Sequence, residues 1–158
     1  MLTSFVWIYL FVVLMIILFL LVPKEKIIKL LPFSFVAGFG LALVLQYFAV
    51  NIFRWWEFNY GLINLFNAPL GVSLSWMPAV IIFAYFWPLA ISKLGKLIYT
   101  FIFALGTTVV EYSFVLLGYR RYINWSVLLT FILAFIIHLL LASYLYMNSE
   151  KETLYSEK

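Results

Sequence analysis

Residues 54–78 read RWWEFNYGLINLFNAPLGVSLSWMP, the one long interruption in an otherwise almost continuous apolar chain. The stretch carries Trp55, Trp56 and Trp76, the asparagines Asn59, Asn64 and Asn67, the charges Arg54 and Glu57, and a turn signal at Pro69-Leu70-Gly71. On either side the sequence reads as helices long and apolar enough to cross a bilayer, so the fold is that of membrane helices carrying this segment.

Composition supports that reading. The chain has 158 residues, 67% hydrophobic and 10% charged, with a mean hydropathy of +1.13. Soluble domains run at about 45–50% apolar and about 25% charged. A chain this apolar has too little polar surface to face water on all sides, and the lipid bilayer is the partner its composition requires. The formal charge of +4 then encodes orientation rather than nucleic-acid binding. The absence of cysteine excludes disulfides and thiolate chemistry. A single histidine, His138, argues against a dedicated zinc site. No metal and no cofactor is expected.

The expected architecture is all-α: a polytopic bundle of five transmembrane helices in one domain, residues 1–147. The spans cover about 3–22, 30–53, 71–92, 97–118 and 125–147, and 148–158 form a polar C-terminal tail. The first span lacks the basic start and small-residue cleavage site of a signal peptide. Pro23 stops it, and residues 24–29 read as a short basic loop. Pro32 is tolerated in the first turn of the second span. Ser34, Gly38, Ala42 and Gln46 recur every four residues there, a stripe of small and polar groups suited to packing against another helix. Between the second and third spans, Leu62, Leu65 and Phe66 fall at helical spacing opposite Asn64 and Asn67. That pattern predicts a short helix over residues 59–71, lying flat at the interface or re-entering the bilayer. Pro78 and Pro88 predict kinks in the third span.

Lysines and arginines set the orientation. Lys24, Lys26, Lys29, Lys93, Lys96, Lys151 and Lys158 lie on one face, and Arg54, Arg120 and Arg121 on the other. Excess positive charge marks the cytoplasmic side. The expected location is therefore the inner or plasma membrane, multi-pass, with the N-terminus outside and the C-terminus cytoplasmic. Trp55, Trp56, Arg54 and Arg120 are then expected as anchors at the outer interface.

Depth along the helices picks out a candidate polar pocket: Glu111, His138, Gln46, Thr107 and Ser75. Gln46 and Glu111 both lie about 10 Å below the outer end of their spans, and His138 about 20 Å below. Ser73 and Ser75 enter from the outer side, and Thr107 lies one turn from Glu111. The pocket's floor is expected near His138 and its lid at residues 55–71. Glu111 is the one carboxylate inside any expected span, and an ionisable group there marks a functional site by default. Two other readings compete: a protonated Glu111 bonded to Gln46 or a threonine, and a Glu111 paired with Arg54 or Arg120. For His138 the competing reading is a neutral imidazole bonded to a neighbouring helix.

No catalytic residues are assigned. The chain has no aspartate, no Gly-rich phosphate loop, no G-x-S-x-G and no H-E-x-x-H. The expected function is binding of a small amphiphile or a partner membrane protein through the outer-half pocket. The alternatives are a membrane enzyme acting on a lipid or isoprenoid, through a Glu/His acid–base pair, and a small proton-coupled transporter or accessory subunit.

Pro23-Lys24 after the first span, the pair Trp55-Trp56 after the second, and the long aromatic segment that follows resemble a family of small multi-spanning proteins of spore-forming Gram-positive bacteria. That resemblance implies an integral membrane protein and supplies no activity. A fainter similarity links Trp56-Glu57-Phe58-Asn59 and Pro69-Leu70 to the membrane lycopene cyclases and related carotenoid-pathway proteins. There a carboxylate pair opens the next helix, and here Gly71-Val72 stands in its place.

Overall fold

The computed structural model describes the backbone of residues 2–87 and 92–156 and, within them, the side chains of residues 4–87 and 92–148. The described residues are mostly helical, with four short strands gathered at one end. A 3-10 turn, Leu2–Phe5, leads into α1 (Val6–Leu21). The second rod joins α2 (Lys24–Ser34), a π-helical turn (Phe35–Gly40), α3 (Leu41–Tyr47) and a second π-helical turn (Phe48–Ile52). Then come α4 (Leu70–Phe86), α5 (Lys93–Leu116) and α6 (Val127–Ser156). The strands are β1 (Trp56–Phe58), β2 (Asn64–Leu65), β3 (Ala68–Pro69) and β4 (Arg120–Tyr122).

Several expected boundaries are corrected. Residues 24–29 are not a loop: Pro23 precedes the helix, its carbonyl accepts from the N–H groups of Lys26 and Ile27, and the rod starts at once. Lysine and glutamate are good helix formers, and Glu25 in the first turn suits the positive end of the helix dipole. Pro32 therefore lies inside the rod rather than in its first turn. The third helix closes at Phe86, and Pro88 with its expected kink lies outside the described residues. The tail is not separate from the last helix, which continues to Ser156 because no proline or glycine interrupts it.

The segment after the second rod is not a helix. β2 and β3 pair antiparallel, Asn64 with Pro69 and Leu65 with Ala68. Phe66 and Asn67 between them have φ of 53° and 62°. Two residues at positive φ make the tight turn whose twist suits a hairpin. Asn67 Nδ2 donates to Asn51 Oδ1 at 2.7 Å, and Asn51 Nδ2 donates to the Phe66 carbonyl at 2.8 Å. Of the two asparagines read as a polar helix face, Asn64 lies in β2 and Asn67 in the turn, which Asn51 braces.

At the centre lies α4, buried from Gly71 to Val72 and Ser73 and again from Val80 to Ala84. Against it pack α1 and the second rod, while α5 pairs with α6. Close approach is possible because of two glycines. A Cβ on Gly71 would sit 2.7 Å from the Trp7 carbonyl, and one on Gly38 would sit 3.0 Å from the Trp76 carbonyl. Ser34, Gly38, Ala42 and Gln46 are all buried, so the four-residue stripe faces inward. On a regular α-helix a four-residue spacing drifts about 40° per step. The wider π-turns take up that drift and hold the stripe against α4. At the end away from the strands, Phe83, Trp87, Tyr99, Ile137 and Leu141 cluster, and the Tyr99 hydroxyl donates to the Phe83 carbonyl at 2.9 Å.

Among the described residues, three helices are long and apolar enough to cross a membrane: Lys24–Ile52, Lys93–Leu116 and Val127–Asn148. Val6–Leu21 and Leu70–Phe86 are shorter apolar helices.

Candidate functional site

The site begins with the way α5 ends. Gly118 has φ +77°, the Tyr119 N–H reaches the Phe114 carbonyl, and the Gly118 N–H reaches the Val115 carbonyl. This paired closure with glycine in the left-handed region turns the chain back over the helix. The next residues form β4, which pairs antiparallel with β1: Trp56 with Tyr122, Glu57 with Arg121, Phe58 with Arg120. Successive strand residues face opposite sides. Glu57 and Arg121 face out and form an exposed ion pair at 2.7 Å, which contributes little. Arg120 and Trp56 face in and are both 3% exposed.

Arg120 is enclosed by rings. Its guanidinium carbon lies 3.9 Å from the Trp56 ring centroid, 5.4 Å from Phe58 and 5.8 Å from Tyr122. Nη1 forms an ion pair with Glu111 Oε2, while Nε has no hydrogen-bond partner among the described residues. Burial pushes the guanidinium down to about 9, which still leaves it charged at neutral pH. Cation–π contact and the carboxylate together replace the water it has lost.

Beneath this cap lies a cavity of about 430 Å³. That is within the ordinary range for small-molecule sites, about 300–1,000 Å³. Gln46, Ser75, Thr107, Glu111 and His138, drawn from four rods, all line it. Ser73 does not; it is buried elsewhere on α4. Trp56, Arg120, Trp125 and Thr130 join at the capped end, and the rest of the wall is apolar. Trp56 Nε1 donates to Gln46 Oε1 at 3.0 Å. Thr130 Oγ1 accepts from Trp125 Nε1 at 2.9 Å, lies 2.8 Å from the Tyr122 hydroxyl and donates to the Ser126 carbonyl. Ser75 Oγ donates to the Gly71 carbonyl at 2.6 Å. His138 Nδ1 is 2.7 Å from the Ala134 carbonyl. A carbonyl only accepts, so Nδ1 carries the proton and Nε2 is left as an acceptor. His138 packs edge-on against Phe83, 5.1 Å between centroids, and is not hydrogen-bonded to Glu111.

Two sides of the cavity are unequal. Toward α4 the wall is buried. Toward α1 and α5 it is made of Leu10, Leu14, Ile102, Gly106 and Val110, and the three on α5 are exposed. A Cβ on Gly106 would meet nothing within 4 Å. The exposed residues of the lining therefore all lie on α5, at the edge of the cavity that it shares with α1.

Expected anchors divide. Arg54 is exposed and takes a left-handed φ of 50° where the second rod ends. Trp55 is half-buried and stacks on Trp125 at 4.2 Å. Trp56 and Arg120, also expected as anchors, are buried, and β-pairing turns both inward. The lid is corrected too. Of residues 55–71 only Trp56 lines the cavity, and β4 with Trp125 supplies the rest of the roof. The chain between β1 and the hairpin instead reaches α1, where Trp7 Nε1 donates to the Tyr60 carbonyl at 2.6 Å. Trp125 and Thr130 also belong to the lining. The one trace of the roof in the sequence is charge: Glu57 and Arg121 have opposite signs and fall opposite each other when β1 and β4 pair antiparallel.

Among known proteins, no family model, no curated protein and no solved structure matches the chain.

Proposed function

We propose that this is a five-span membrane protein that holds one chain of an amphiphile in its capped cavity and admits it sideways from the bilayer. Several features support the membrane setting. Leu20 is 78% exposed, Val36 71% and Leu116 70%, and large apolar side chains are exposed along α1, the second rod, α5 and α6. Apolar surface on that scale needs lipid or a partner to cover it. The two shorter helices also have the reach. Seventeen residues of α4 span about 26 Å, and α1 with its 3-10 turn spans about 32 Å, against a hydrocarbon core of about 30 Å. The distribution of lysine and arginine favours an outer location for the strand cap and a cytoplasmic C-terminus, in the inner or plasma membrane.

The observation that carries the binding reading is the exposed edge of the lining, read as a side opening. A cavity with an apolar wall, polar groups at one end and an exposed edge on α5 beside α1 matches a ligand already dissolved in the membrane. From Thr130 to Leu141 it spans about 16 Å along α6, roughly half the bilayer core. That length suits a single chain entering from one leaflet.

The test is a plug. Gly106→Trp places a large ring at the opening, at a position where a Cβ meets no neighbour within 4 Å. Protein purified from its native membrane is expected to carry about one tightly held single-chain lipid, and the variant is expected to lose it while melting at the same temperature. Equal lipid retention in both proteins, counted by mass spectrometry, overturns the reading.

A further inference from the structure

The cavity's polar end selects a kind of head group, an inference that rests on reading the cavity as an amphiphile site. Of its lining residues only Glu111 and Arg120 are charged, and they are already paired with each other. An anionic head would compete with Glu111 for Arg120 and leave one uncompensated negative charge among apolar walls, which is costly. A cationic head would do the reverse to Arg120. What the site leaves open is neutral hydrogen bonding. Arg120 Nε is a buried donor with no hydrogen-bond partner among the described residues. Trp56 Nε1 only donates, so it fixes the Gln46 carbonyl toward itself and leaves the Gln46 amide N–H groups as the open function. The Thr107 hydroxyl, one turn below Glu111, both donates and accepts, and Glu111 only accepts when ionised.

We propose that the site takes an uncharged head group that both donates and accepts a hydrogen bond, such as the hydroxyl of a long-chain alcohol or of a monoacylglycerol. It discriminates against carboxylate and phosphate heads on the same chain. Such a head satisfies the orphan Arg120 N–H by accepting, and gives its own proton to Glu111 or Thr107, without disturbing the ion pair.

The experiment uses the full chain in nanodiscs with a matched series: hexadecane, hexadecanol, monopalmitoylglycerol, palmitate and hexadecyl phosphate. One-to-one complexes are counted by native mass spectrometry. Hexadecanol and monopalmitoylglycerol are expected to bind about tenfold more tightly than the other three. Thr107→Val and Gln46→Leu are expected to remove most of that preference, read as the ratio of hexadecanol to hexadecane binding within each variant. Tighter binding of palmitate or hexadecyl phosphate overturns the head-group proposal and leaves the cavity reading standing. Equal binding of hexadecane and hexadecanol does the same, since it shows that the head is not read. No binding of any member overturns both.

Discussion

Arg120 reaches from strand β4 to Glu111 on α5, and this ion pair ties the cap to the helix whose end it has just left. Both charges lie largely out of solvent, at 3% and 17% side-chain exposure. Removing one partner strands the other. Arg120→Met and Glu111→Leu are each expected to cost about 3 kcal/mol in detergent, whereas the double substitution should cost clearly less than their sum. Glu111→Gln should also destabilise, because an amide cannot balance the guanidinium. Melting curves for the cycle decide this. A neutral Glu111→Gln variant returns Glu111 to the reading of a protonated carboxyl.

Asn67 discriminates the hairpin from the helix expected there. With φ at 62° and Nδ2 on Asn51, Asn67→Ala should cost about 1–2 kcal/mol, from the strained backbone and the lost bond together. Asn67→Gly should recover the backbone share. In a helix the order reverses, with alanine the better residue. Thermal stability of the two variants, compared directly, separates the structures.

Gly38 should not tolerate a side chain. The Trp76 carbonyl lies 3.0 Å from where its Cβ would sit, so Gly38→Leu forces the second rod off α4. A loss of about 3 kcal/mol or more is expected, in the range of severe overpacking. Gly106→Ala is the control: with no neighbour in reach and a gain in helix propensity, it should be neutral or slightly stabilising. Similar small effects at both positions in a denaturation series would show that the second rod does not pack as described.

Trp56→Phe keeps most of the ring under Arg120 but removes the indole N–H from buried Gln46. The orphaned carbonyl predicts a loss of about 1–2 kcal/mol. Adding Gln46→Leu should restore part of it, because the unsatisfied group is then gone. Additive losses in that pair would contradict the bond.

The sequence by itself determined the helical rods, since apolar length and the punctuation by proline and charge are local signals. It also determined the inward stripe from Ser34 to Gln46, because only small or polar side chains at one spacing allow two backbones to meet. Depth along the rods brought Gln46, Ser75, Thr107, Glu111 and His138 to one level range, and all five do line the cavity. Tertiary structure alone decided which arginine meets Glu111, and that Trp56 and Arg120 turn inward. The reason is physical: strands of two or three residues are too short to show a period of two, and β1 finds its partner some sixty residues away in β4. The hairpin was hidden for a related reason. Leu62, Leu65 and Phe66 satisfy a helical spacing, but the bonds that outweigh it come from Asn51 and from the strand pair, neither of which a local pattern contains.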